Sequence, residues 1–277
     1  MAKALAFHSY KGGTGKTSIS ANLALIFAQG GSDVCILDYD FRAPSQQIIF
    51  KATPKHWLGD YLDEKLGIEQ VLVDLSDQFS TRGKLLVGFS DPSMDAMREM
   101  MARERKLGAK ALHRTLLAKD RILKDLGVDC LMFDTSPGMQ FSAANALAVS
   151  DLTVVVTKAD EFDTEGTKRM VKGMYNVLGK KTGLIVNRIL GAETYALDAA
   201  EKLKLRLEKE FNLPVLGMIP CFCDIQSTKG LGIVAASQPG HLFVRRLTEI
   251  SKEIERICSP DKEAVRGLTL RPESASR

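Results

Sequence analysis

Short apolar runs alternate along this chain with longer stretches in which apolar residues recur every three or four positions. Seven runs are continuous and bounded by Gly, Pro or charge, at residues 4–8, 34–38, 84–89, 130–134, 152–157, 183–187 and 215–219. Such runs predict strands buried on both faces. The amphipathic stretches predict helices over 17–29, 93–106, 109–126, 140–149, 164–178, 196–211 and 242–258. Strand–helix alternation of this kind predicts an α/β fold, a single doubly wound, mostly parallel sheet flanked by helices. No repeat or low-complexity stretch divides the chain. Residues 1–258 read as one domain, and residues 259–277, polar with two prolines, as a mobile C-terminal tail.

One junction between the first strand and the first helix carries chemistry. Residues 9–18 read SYKGGTGKTS. Glycines between a strand and a helix let backbone N–H groups turn inward around phosphate oxygens, and the helix N-terminus adds its positive end. Gly12, Gly13, Thr14, Gly15, Lys16, Thr17 and Ser18 are therefore candidate phosphate-binding residues. Lys16 is placed to reach the β- and γ-phosphates and Thr17 to bind Mg²⁺ through its hydroxyl. The general phosphate-loop pattern begins with Gly, and here that position holds Tyr10, followed by an additional cation, Lys11. A lysine there is poorly placed to turn inward on its own loop and is free to reach the nucleotide of a second subunit.

The run KGGTGKT resembles the deviant Walker A motif of the MinD/ParA ATPases, and the resemblance extends through four further motifs. It implies the P-loop NTPase fold, ATP and Mg²⁺ as cofactors, and an ATP-dependent homodimer in which Lys11 acts across the interface. In LDYDFRAPS, Asp38 ends the second strand and Asp40 follows it. The resemblance places Asp38 beside Mg²⁺ and Asp40 against the attacking water. In LMFDTSPG, Asp134 ends an apolar strand, as a Walker B carboxylate holding Mg²⁺ does, and Gly138 matches the family's γ-phosphate switch. In LIVNR, Asn187 and Arg188 match the base-binding position. Pro220 and Cys221, after GMI, match the second base-contacting stretch. Lys11, Lys16 and Asp40 are the implied catalytic residues.

Composition changes this picture in two places. Five cysteines, an odd and irregularly spaced set, predict reduced thiols in a cytoplasm. Only Cys221 and Cys223 are adjacent, and as alternate residues of a strand they would point the same way. That pair makes an alternative reading, an ATPase for metal or iron–sulfur assembly with Zn or a cluster shared at a dimer interface. Lys plus Arg number 38 against 34 Asp plus Glu, a surplus of four, too small by itself to indicate nucleic acid. Its cations gather between Arg98 and Lys124, including Arg103, Arg105, Lys106, Lys110, Arg114, Lys119 and Arg121, a candidate DNA surface. No leader is expected at the N-terminus, and no apolar run approaches the ~20 residues of a membrane span, so a membrane partner is not expected. The reading is a cytoplasmic Mg²⁺-dependent ATPase. It would dimerise on ATP, respond to an activating partner protein, and drive positioning or partitioning of DNA or a cellular machine.

Overall fold

A computed structural model describes residues 3–103, 108–190, 197–227 and 232–259. Eight strands form one sheet: β1 (Lys3–His8), β2 (Val34–Tyr39), β3 (Leu72–Asp74), β4 (Leu85–Gly88), β5 (Cys130–Thr135), β6 (Leu152–Lys158), β7 (Lys181–Ile189) and β8 (Val215–Pro220). Their order is β3-β4-β2-β5-β1-β6-β7-β8. The pairs among the seven predicted strands are all parallel. The longer helices are α1 (Lys16–Gln29), α2 (Met94–Arg103), α3 (Gly108–Asp120), α4 (Phe141–Val149), α5 (Glu161–Met170), α6 (Leu197–Phe211) and α7 (Leu242–Cys258).

Alternation within the central strands explains the layering. Leu5 and Phe7 of β1 and Ile36 of β2 join a core built with α1 and α7. Ala4 and Ala6, with Cys35 and Leu37, join a second core on the opposite face. Both faces are covered, so the strands read as continuous apolar runs, as a parallel sheet requires. The carboxyl ends of β1, β2 and β5 lie side by side, with Phe7 opposite Asp134 and Asp38 opposite Asp134 in register. This is where the connections diverge to either side of β1, the crevice in which open α/β sheets bind ligands.

Several expectations need correction. The strand β3 was not predicted. It is three residues long and pairs antiparallel with β4 at the sheet edge, too short to leave a period in the sequence. The region between β2 and β4 also holds short helices, beginning with Gln46–Phe50. Helix α5 starts three residues before the predicted 164, because the Asp160 carboxylate accepts the Asp163 N–H and caps it. A π-helical turn, Val171–Tyr175, then continues it. Cys221 and Cys223 do not share a strand: β8 ends at Pro220, and Cys223 opens the short helix Cys223–Ser227. The predicted tail from 260 onward, and Arg105 and Lys106, lie outside the described residues. No described helix is long and apolar enough to cross a membrane.

Candidate active site

The phosphate loop takes the shape its glycines permit. Gly13 and Gly15 sit at φ +76° and +91°, left-handed values that side chains resist. Gly15 is also the residue before α1, and a Cβ there would collide with the Asn187 amide. Tyr10 replaces the loop's usual first glycine. Its ring lies against Gly166 of α5, where any side chain would overlap it. Lys11 beside it is exposed, 5.8 Å from the Tyr10 ring centroid and 5.4 Å from that of Phe162. Phe162 is itself 79% exposed. The cation is exposed and flanked by these two rings.

Lys16 turns inward. Its Nζ lies 2.6 Å from Asp134 Oδ1 and donates to Thr17 Oγ1 at 3.3 Å, with lysine and aspartate both buried. The cation that would reach a nucleotide's phosphates thus neutralises the Walker B carboxylate. Asp38 lies opposite Asp134 across the β2–β5 pair and is buried. Burial, then the neighbouring Asp134 and Asp40 charges, hold the Asp38 carboxyl well above its ordinary range. The Asp40 and Gln46 N–H groups oppose that shift. Asp40 is drawn into its own loop. Its Oδ1 accepts Ser136 Oγ–H at 2.8 Å and the N–H groups of Ala43 at 3.1 Å and Arg42 at 3.3 Å. That carboxylate therefore ties the loop after β2 to the loop after β5.

These donors suit Mg²⁺, which prefers hard oxygens from one or two carboxylates and keeps several of its own waters. Thr17, Asp38 and Asp134 supply them. A further oxygen fits: Gln46 is fully buried, and its Oε1 has no hydrogen-bond partner. Gln46 was not found in the sequence, because nothing local marks it. Its Nε2 reaches Asp134 Oδ2 at 2.8 Å across 88 positions of sequence.

Gly138 sits at φ +76°, and its N–H donates to the Ser9 carbonyl at 2.9 Å. Its carbonyl meets His8 Nε2 at 2.9 Å, and His8 Nδ1 lies 2.7 Å from the Tyr175 hydroxyl. A carbonyl only accepts, so Nε2 carries the ring proton and Nδ1 accepts from the phenol. Burial lowers His8 from 6.5 to about 4, which keeps the ring neutral. Neither partner was singled out in sequence, because His8 and Tyr175 are 167 positions apart.

At the other end of the loop, Gly15, Ser18, Asn187, Arg188 and Pro220 line one cavity of about 420 Å³. Phe222, Ile225 and Phe243 complete its apolar wall. Cys221 instead uses its N–H to bond the Ile189 carbonyl. An aromatic between the two cysteines was the available sign that Phe222 faces this cavity. The Asn187 amide donates to the Thr14 carbonyl at 2.7 Å, and its oxygen accepts the Arg188 N–H at 2.9 Å. Arg188 is exposed at φ +57°.

Within the described chain the cysteine pair gathers no further metal ligands. Cys221 is half-buried and Cys223 exposed. Among the described residues no group of three or more His, Cys, Asp or Glu could hold a metal. The described cations of the basic stretch are largely matched by the chain's own acids. Arg98 meets Asp95, Lys110 meets Glu64, and Lys119 meets Asp151. Arg121 meets Glu69 and Asp125, and Lys124 meets Asp120. Arg114 stacks on Tyr61 at 3.9 Å.

A strand, a glycine loop holding Lys-Thr at a helix start, and two carboxylates on adjoining strand ends define a P-loop nucleotide-binding fold. Residues 2–185 match the family described as AAA domain (AAA_31). The chain belongs to that family and is a P-loop ATPase of MinD/ParA type. It is 27% identical over 221 residues to an uncharacterized ATP-binding protein, MJ0547, of Methanocaldococcus jannaschii, covering 79% of this chain and 75% of that one. It is 25% identical to the chromosome-partitioning ATPase Soj of Thermus thermophilus, covering 88% and 93%. Its fold matches the septum site-determining protein MinD of Pyrococcus horikoshii, solved with Mg-ADP. That match has a TM-score of 0.71 and 19% identity, and covers 98% and 100% of the two chains.

Proposed function

We propose that residues 1–258 form a Mg²⁺-dependent ATPase that dimerises on ATP and, by cycling between dimer and monomer, positions DNA or a cellular machine in the cytoplasm. The observation that carries this reading is the Lys16–Asp134–Asp38 cluster at the mouth of the glycine loop. Lys16 is held by Asp134. Phosphates compete for that cation, and its departure leaves Asp134 and Asp38 as an uncompensated acidic pair. When bound, Mg²⁺ supplies charge neutralisation at the β- and γ-phosphates. Lys16 would then hold phosphate oxygens, and Thr17 and Asp38, with Asp134 through water, would hold the ion. In hydrolysis a water oxygen bonds to the γ-phosphorus as the bond to the β-phosphate oxygen breaks, giving ADP and phosphate. Asp40, released from Ser136, orients that water and accepts its hydrogen bond. The Gly138 N–H moves from the Ser9 carbonyl to the γ-phosphate and so couples phosphate to the loop after β5. The base lies in the cavity between Asn187, Pro220 and Phe222.

Lys11 completes the partner's site. Its exposure beside Phe162 supports a role across the interface, because on its own subunit it has phosphate-loop backbone behind it and solvent in front. The likeness to MinD and Soj supports the positioning reading, and an activating partner would set the turnover. Because the described cations of 98–124 are mostly matched internally, DNA contact there has to displace existing pairs.

The test is light scattering with ATP and Mg²⁺. Asp40→Ala should bind ATP and accumulate as a dimer. Lys11→Ala should bind ATP and stay monomeric. An Asp40→Ala chain that binds ATP as a monomer would sink the sandwich mechanism. The locked dimer, offered duplex DNA, separates DNA partitioning from positioning of a protein machine.

A further inference from the structure

The carboxylate cluster contains a residue that the motifs do not account for. Gln46 follows Pro44-Ser45 and opens the short helix Gln46–Phe50. It touches both Mg²⁺ carboxylates. Its N–H faces Asp38 Oδ2 at 3.3 Å, and its Nε2 donates to Asp134 Oδ2 at 2.8 Å and to Ser20 Oγ at 3.4 Å. The orientation of the amide follows from chemistry: a carboxylate oxygen accepts, so the nitrogen must face Asp134 and the oxygen must lie on the other side. That oxygen, Oε1, is buried and has no donor. Ser20 does not serve it, because its hydroxyl donates to the Thr17 carbonyl at 3.0 Å. Lys16 does not serve it either, because its Nζ is on Asp134 Oδ1 and Thr17.

A buried amide oxygen without a donor is costly, and here it lies among groups that would surround a cation. A water bound to Mg²⁺ points its oxygen at the metal and its protons outward. It therefore donates to whatever acceptors line the shell. We propose that Gln46 is a positioning residue for Mg²⁺: Nε2 holds one oxygen of Asp134, and Oε1 accepts a hydrogen bond from a water in the ion's shell. This inference rests on the ATPase reading. It gives Asp134 a division of labour, with Oδ2 kept by Gln46 and Oδ1 released from Lys16 to the ion's waters. It also places an Mg²⁺ sensor six residues after Asp40, on the loop that carries the water-orienting carboxylate.

The experiment compares the wild type with Gln46→Met, which keeps the length and bulk but removes both polar atoms. Fluorescent ADP is titrated in EDTA, and Mg²⁺ is then titrated at fixed ADP. In EDTA the two proteins should bind ADP within about twofold of each other. The Mg²⁺ concentration at half-effect should rise about ten- to a hundredfold in the variant, the usual consequence of removing an outer-shell partner. If Gln46→Met does not fold, Gln46→Asn, one methylene short, is measured in the same way. An Mg²⁺ midpoint within about twofold of the wild type overturns the proposal. So does a loss of ADP affinity that is equal in EDTA and in Mg²⁺, which marks a purely structural role. A wild type that binds no ADP in either condition removes the ATPase reading itself, and this inference with it.

Discussion

The two ends of the nucleotide site are built on opposite principles. At the phosphate end most of the strong groups already have partners: Lys16 with Asp134, Asp40 with Ser136, and Gly138 with Ser9 and His8, while Gln46 meets Asp134 through Nε2 and keeps Oε1 unpaired. At the base end there is an open cavity of about 420 Å³ with an apolar wall and one engaged amide. A ligand entering the base end meets a preformed surface and rearranges little. A ligand entering the phosphate end must exchange internal partners for its own. On the proposed function, binding of the base and response to the phosphate are separable properties of adjoining parts, as a protein that changes state on γ-phosphate needs them to be.

The comparison is tested most severely at Lys16. If the phosphate end is balanced by internal pairing, removing its cation should destabilise the protein even without nucleotide. Lys16→Met leaves Asp134 buried and uncompensated beside Asp38. Breaking a buried pair from one side costs about 3–5 kcal/mol. Guanidinium unfolding of the nucleotide-free protein should show a loss of that size, together with loss of ATP binding. A variant as stable as the wild type would mean that the Lys16–Asp134 contact contributes nothing to the stability of the fold.

His8 sharpens the same point through pH. Its folded value of about 4 lies below the ordinary 6.5. As pH falls, the unfolded chain takes up the proton first, so stability is complete above about pH 6.5 and is lost progressively down to about pH 4. A shift of that size corresponds to about 3 kcal/mol. Over that interval the wild type should lose about this much more stability than His8→Gln. Equal losses in the two proteins would show that the ring is not held neutral between Gly138 and Tyr175.

What could be read in advance follows the same division between local and distant partners. The strand, loop and helix of residues 3–29 and the carboxylates Asp38 and Asp134 were legible because each signal is contiguous: an apolar run, then glycines or an acid at its end. Lys11 stood out as a cation added before the double glycine, and it is exposed in the fold. Gln46 and His8 were not legible, since each owes its role to partners 88 and 130 to 167 positions away. Phe222 was overlooked beside its cysteines. Those were read as a strand pair, whereas the chain leaves the sheet at Pro220 and turns into a helix at Cys223. The edge strand β3 is three residues paired through register, without a pattern of its own.

The smallest expected effect tests the base end. Phe222 is half-buried, edge-on to Phe243 at 6.2 Å and to His241 at 5.1 Å, in a cavity whose polar lining comes from Ser18, Asn187 and Arg188. An aromatic face against a base contributes about 1–3 kcal/mol. Phe222→Ala should therefore weaken ATP and ADP alike, by about tenfold. It should leave the Mg²⁺ midpoint unchanged, because nothing it touches reaches the carboxylates. Calorimetric titration of both nucleotides, with and without Mg²⁺, reads all of this at once. Equal weakening of ATP and ADP keeps the two ends independent. If ATP is weakened more than ADP, the base wall is coupled to the γ-phosphate switch. The path available is the Asn187 amide, which lies against Gly15 and bonds the Thr14 carbonyl within the phosphate loop itself.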